Sequence, residues 1–248
     1  MKGLKISVKG IVISVMAVLV IGYIVGAAWW SSHRANTAVC KQMTIVITDY
    51  AKRRYVSVDE LTDMLRKRDL YPVGKVVADI PIEQIERAVV NHPMVRKAQC
   101  YVTPTGVVRI RLTQRVPVLR VVTGDASYFV DTDHTRMPVR ESVTTPVMVV
   151  TGNVGERMAC SSLADMVEWI NGNAYWREKV DHVHVVNPKM VYLVQRPDET
   201  HLILGEVNGY KQKLAKLRKL YDKGFDQIGW RTYRELDLRF NGQVVGRN

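Results

Sequence analysis

From Ile11 to Trp30 the chain reads IVISVMAVLVIGYIVGAAWW, without one charged residue. As a helix rising 1.5 Å per residue, such a run is about 30 Å long, the thickness of a bilayer core. Trp29 and Trp30 close it, where amphipathic rings sit at a membrane–water interface. Lys2, Lys5 and Lys9 precede it and favour an N-terminus kept in the cytoplasm. The run is longer than the 7–15-residue apolar core of a cleaved signal peptide. Cys40 lies well beyond it, past His33 and Arg34, too far for a signal-adjacent acylation site. The expectation is a cytoplasmic tail over 1–9, one transmembrane helix over 10–30 with Lys9, Trp29 and Trp30 as interface anchors, and a small polar stalk over 31–42. A single apolar run excludes a polytopic transporter.

Charge then asks for a partner. Lys+Arg 36 against Asp+Glu 24 leaves a formal net charge of +12, a field that favours anionic surfaces. With the bulk of the chain outside the cell membrane, nucleic acid is not the expected partner. Cys40, Cys100 and Cys160 allow at most one disulfide, so no cysteine-stapled scaffold is built here. Cys100 reads as a small buried hydrophobe in a strand.

Behind the stalk, Met43–Ile47 is rich in β-branched residues and predicts a strand. Ser57-Val-Asp-Glu60 has capping-box spacing and opens a helix whose apolar face is Leu61, Met64 and Leu65, with Val58 beside them. Pro81 starts a second helix with the stripe Ile82, Ile85, Val89 and Val90. A hairpin comes next, Val95–Val102 and Val107–Leu112 about Pro104-Thr105-Gly106, with Arg109 and Arg111 on the face opposite Val108, Ile110 and Leu112. The order β-α-α-β-β places two helices on one face of a small sheet.

From Val116 the pattern changes to short strands, at 118–122, 128–131, 147–150, 182–186, 190–195, 201–204, 232–240 and 243–245. Two amphipathic helices interrupt them, one over about Ser162–Ile170 and one from about Asn208. The second sets Tyr210, Leu214, Leu217 and Tyr221 against Lys211, Lys213, Lys216, Arg218 and Lys219, a pattern that reads as a solvated basic face. The fold class is α+β: a membrane helix, a β-α-α-β-β module and a β-rich domain.

Catalytic signatures are missing. The chain has no G-x-S-x-G, Walker A loop, G-x-G-x-x-G, H-E-x-x-H or C-x-x-C. His182-x-His184 with His201 nearby is the best metal candidate, but without a clear third ligand two solvent-facing or hydrogen-bonded rings are the simpler reading. Asp131 and Asp133 make either a carboxylate pair or a turn. No catalytic residue, cofactor or metal is assigned.

Six segments, in order, carry a resemblance: Ile80–Glu86, His92–Val95, Val107–Leu112, Arg115–Val118, Tyr128–Asp131 and Glu235–Phe240. Together they resemble FtsQ/DivIB, the bitopic bacterial cell-division proteins. The resemblance implies a POTRA-like domain over 43–114 and an FtsQ-type β-domain over 115–248. It implies a non-enzymatic scaffold of the inner membrane, at the division septum with its C-terminal domain periplasmic. Its partners would be FtsB- and FtsL-type proteins and other divisome components, through which it would help control septal peptidoglycan synthesis. The FtsB-type contact resembles strand addition, which carries onto Arg239, Phe240, Asn241, Gly242 and Gln243 of this chain. Leu236 and Leu238 are expected to face the core. One departure lies after Asp131, where the family usually has a glycine and Thr132-Asp-His-Thr135 must make the turn. Two other classes remain open: a POTRA-bearing envelope assembly or secretion component handling client polypeptides, against which the lack of a membrane β-barrel pattern argues, and an anchored cell-wall hydrolase.

Overall fold

The computed structural model describes residues 15–27, 38–51, 54–140, 145–197, 199–223 and 233–248. Residues 15–27 form a helix, α1, with every side chain exposed. Among the described residues no helix is long and apolar enough to cross a membrane. Lys9, Trp29 and Trp30, and the outer parts of the expected 10–30 span, lie outside the described residues. The chain divides into two compact units that meet in sequence between Thr113 and Gln114, at the end of the strand that closes the first.

The first unit contains β1 (Gln42–Ile47), α2 (Val58–Lys67), a 3-10 turn (Val77–Asp79), α3 (Ile82–Val90), β2 (Val95–Val102) and β3 (Val107–Gln114). Its sheet runs β1-β3-β2, with β1 parallel to β3. Ser57 caps α2, its hydroxyl accepting the Glu60 N–H at 3.1 Å. Glu60 itself places Oε1 3.1 Å from Nε2 of the buried His92, tying α2 to the end of α3. Leu61 and Leu65 fill the core from α2, Ile85 and Val89 from α3, and Val108, Ile110 and Leu112 from β3. Val90, expected on the α3 stripe, is exposed and Ala88 is buried instead. At 100° per residue, 85, 88 and 89 share a face and 90 turns off it. Cys100 is buried on β2, where desolvation and then the Glu86 carboxylate push its thiol up to about 12. It therefore stays a neutral thiol and behaves as an apolar side chain.

The second unit is one nine-stranded sheet with helices packed on one face. The strands are β4 (Pro117–Val122), β5 (Ser127–Asp131), β6 (Arg136–Pro138), β7 (Met148–Gly152), β8 (Val180–Asn187), β9 (Met190–Gln195), β10 (His201–Gly205), β11 (Glu235–Asp237) and β12 (Val245–Arg247). Their spatial order is β12-β11-β10-β9-β8-β7-β4-β5-β6. β4, β7 and β8 are parallel neighbours, as are β10 and β11; the other pairs are antiparallel. A parallel pair needs a crossover, and helices supply two of them. Between β7 and β8 run α4 (Glu156–Met158), a π turn (Ala159–Leu163), α5 (Ala164–Gly172) and α6 (Ala174–Lys179); between β10 and β11 runs α7 (Tyr210–Lys223).

Alternation along each strand divides the sheet. Leu119, Val121, Val150, Val183, Val185, Leu193, Leu202 and Leu204 join one core with Leu163, Met166, Val167, Ile170, Trp176, Leu214, Leu217 and Tyr221 of the helices. Three features depart from the sequence expectation. The helix expected over about 162–170 starts at Glu156, and a separate α6 comes after it. Asn173 makes that break: its Oδ1 accepts the N–H groups of Tyr175 and Trp176 at 3.1 and 3.3 Å and so caps a new helix. The short edge strand β6 follows the turn after Asp131, where His134 takes the left-handed conformation at φ 58 that a glycine would otherwise fill. The last two strands are also shorter or shifted. The expected 232–240 is a strand only over Glu235–Asp237, and the expected 243–245 lies at Val245–Arg247; Thr232 is outside the described residues.

Candidate functional site

The polar clusters singled out in the sequence have structural partners. Asp131 is buried; its Oδ1 accepts from the N–H groups of Asp133 and Thr135, and its Oδ2 from Arg115 at 2.6 Å. It builds a turn and is not half of a carboxylate pair. His182 and His184 project from one face of β8. Their Nδ1 atoms lie 3.0 Å from Asp181 Oδ2 and 2.9 Å from Thr151 Oγ1. The His201 ring meets Tyr192 edge-on at 6.3 Å. The three imidazoles line a shallow depression of about 420 Å³ with Tyr192 and Glu235, yet among the described residues no group of three or more His, Cys, Asp or Glu side chains is arranged to hold a metal.

The end of the sheet presents a different surface. β11 is held between β10 and β12, Leu236 facing Leu202 on one side and Gly246 on the other. β12 is the last strand of the order, so its outer edge has no strand partner among the described residues. The opposite edge is β6, three residues ending in Pro138, which cannot donate to a ladder and so blunts that side. Among the described residues, the β12 edge is therefore the better placed to offer backbone groups to an incoming strand.

Arg239, Phe240, Asn241, Gly242 and Gln243 lie in the connection from β11 to β12. They flank the free edge and are not part of its ladder. The reason is the chemistry of residues 237–239. Asp237 is fully buried. Its Oδ1 accepts from the Arg239 N–H at 3.1 Å and from Arg239 Nε at 2.9 Å, and its Oδ2 from Arg239 Nη2 at 2.6 Å. This chelate turns the backbone out of the strand one residue after Leu238, whose N–H still donates to Ile203. The Arg239 side-chain bonds hold the Asp237 carboxyl below the usual carboxylate range against the opposing effect of burial, and Asp237 in turn raises Arg239. Arg247, on β12, brings Nη2 to 3.6 Å from the same carboxylate.

A second clamp comes from α7. Lys216 Nζ donates to the carbonyls of Leu238, at 3.1 Å, and of Phe240. Lys213 does the same for Leu204 and Glu206, at 2.9 and 2.7 Å. Burial depresses both ammonium groups from the ordinary lysine value. These two residues correct the reading of α7 as a solvated basic face, because they reach back over the sheet end and satisfy carbonyls that strand pairing leaves open. The outcome is a fixed loop on which Phe240 stands 44% exposed, the Arg239 guanidinium carbon 6.0 Å from its ring centre. Gly242 occupies a left-handed turn position, φ 77, before the chain enters β12.

Sequence reasoning missed Asp237 and Arg247, and it placed Lys216 on the helix without its contacts to the sheet end. One signal was available: Asp237 and Arg239 two apart on a strand share a face and can pair.

Residues 116–247, more than half of the chain, match the family model described as FtsQ/DivIB, C-terminal related. Residues 38–113 match the model described as POTRA-like domain. No curated protein matches the chain.

Proposed function

Because the chain belongs to the FtsQ/DivIB, C-terminal related family, we propose that it acts in cell division as a non-enzymatic, single-pass scaffold of the inner membrane. The uncharged run Ile11–Trp30 supplies the anchor, and both folded units lie on the periplasmic side. The outer edge of β12, which has no strand partner among the described residues, supports this reading most directly. An extended segment of an FtsB-type partner adds there as a further strand, its backbone satisfying the open N–H and C=O groups. Phe240 and Arg239 stand beside that edge, an apolar and a cationic contact for side chains of the added strand. FtsL-type and other divisome proteins join through this complex, and the assembly helps control septal peptidoglycan synthesis. The POTRA-like unit serves recruitment to the division site.

Depletion in the host tests the role. Filaments with segregated chromosomes and no completed septa are expected; normal-length cells with a leaky envelope would replace this reading with envelope assembly or secretion. The docking edge is tested by titrating the periplasmic part of an FtsB-type partner. Phe240→Ala removes an exposed side chain, so the melting temperature stays put while affinity falls about tenfold, as for a moderate aromatic hot spot. Undiminished affinity would reject the terminal loop as a contact.

A further inference from the structure

Away from the terminal hairpin, a recess of about 840 Å³ opens where β4, β7 and β8 begin. Val118, Met148 and Val180, each also part of the core, line its apolar floor together with the half-buried Val147 and Val149. Arg177 from α6 and Arg196 from the end of β9 stand at its rim, with Asp181 and His182 between them. Arg196 spends Nε on Asp181 Oδ1, at 2.5 Å, and His182 lies against Oδ2. The bonds from His182 and then Arg196 hold the Asp181 carboxyl below its ordinary value. Asp181 thus stays ionised and fixes the direction of the Arg196 fork. The Arg177 guanidinium is exposed, and among the described residues it has no ion pair and no hydrogen bond. Two guanidinium groups against one carboxylate leave a positive charge uncompensated above an apolar floor.

We propose that this recess is a peptide-binding site whose ligand is a short segment with an apolar side chain next to a free carboxylate. A guanidinium offers parallel N–H donors that match a carboxylate two to one. The floor accepts the neighbouring apolar side chain, a contact a bare anion could not use. The volume suits a ligand of two or three residues. The site shares no residue with the β12 edge, so it stands whether or not that edge binds a division partner.

The test uses the full chain in nanodiscs and two dye-labelled hexapeptides read by fluorescence anisotropy, one ending Leu-Glu with free carboxylates and one ending Leu-Gln-amide. The acidic peptide is expected to bind about tenfold more tightly. Arg177→Gln should weaken it about tenfold with an unchanged melting temperature, and Arg196→Gln should weaken it as well. Phe240→Ala should leave binding intact, which separates this site from the hairpin. Equal binding of the two peptides, or full affinity in both arginine variants, would overturn the proposal.

Discussion

Asp237→Ala is expected to cost about 2–3 kcal/mol of stability, the range for hydrogen bonds to a charged group whose partner is removed. For a unit of this size that corresponds to a fall of about 5–10 °C in melting temperature. The carboxylate is fully buried, takes three bonds from Arg239 and lies near Arg247. The Arg247 contact is long and half-exposed and contributes little. The expected loss therefore comes from the Arg239 chelate, and with it the turn that takes the chain from β11 to β12. The pH dependence comes from the direction of the shift. The folded Asp237 carboxyl titrates below its unfolded value, so its stabilisation is complete above about pH 4 and is lost as pH falls through the folded value. Thermal melts at neutral pH should separate wild type from Asp237→Ala clearly, and the gap should narrow progressively as pH is lowered below about 4. A gap that persists unchanged at low pH would mean that packing, not charge, holds the hairpin. Because β12 carries the free edge, the variant should also bind an FtsB-type strand more weakly at neutral pH.

Much of this architecture is written in local pattern. A short apolar run bounded by Asn187-Pro188 and Pro197-Asp198 marks Met190–Gln195 as a strand to the residue, and the 3.6-residue stripe of Leu214, Leu217 and Tyr221 marks α7. The β-α-α-β-β order of the first unit is legible for the same reason, since each of its elements buries one regular face. What local pattern does not carry is partner choice across the fold. Nothing in a stripe of lysines tells which of them will meet a carbonyl, and Lys213 and Lys216 do so only because α7 lies over the ends of β10 and β11. Nor does alternation say where a ladder stops. Glu235–Phe240 alternates well enough to read as one long strand, but the Asp237–Arg239 chelate ends it after three residues. The five residues expected to touch a partner thus sit at the end of the sheet that carries the free edge, while β12, expected two residues earlier, could not be read from the sequence as the edge strand. A short helix such as α6 is hidden for a related reason. Its start is set by one asparagine side chain, and Gly172-Asn173 reads as a loop until that side chain is seen to cap residues 174–179.

Gly152→Ala is expected to be more damaging than a glycine-to-alanine change at a turn usually is. Gly152 ends β7 at φ 94, opposite Val185 of β8. A Cβ built there would stand 2.1 Å from the Val185 carbonyl oxygen and 3.0 Å from its carbon. That oxygen cannot withdraw cheaply, because it accepts the Asn153 N–H at 2.7 Å as the chain leaves the sheet for α4. Gly242 provides the comparison within the same unit. It too is left-handed, φ 77, but a Cβ there meets nothing within 4 Å. Gly242→Ala should therefore cost only the conformational penalty, about 1–2 kcal/mol. Gly152→Ala adds displacement of backbone between two parallel strands and should cost about 3–4 kcal/mol in all. Chemical denaturation of the two variants measures the difference. Similar costs would show that β8 yields at Val185 without loss, and the contact would then not be what demands a glycine. With the expected result, loosening should spread along β7 and β8 to Met148 and Val180, which floor the arginine-rimmed recess. Gly152→Ala would then weaken the acidic peptide as well, whereas Gly242→Ala would leave it bound.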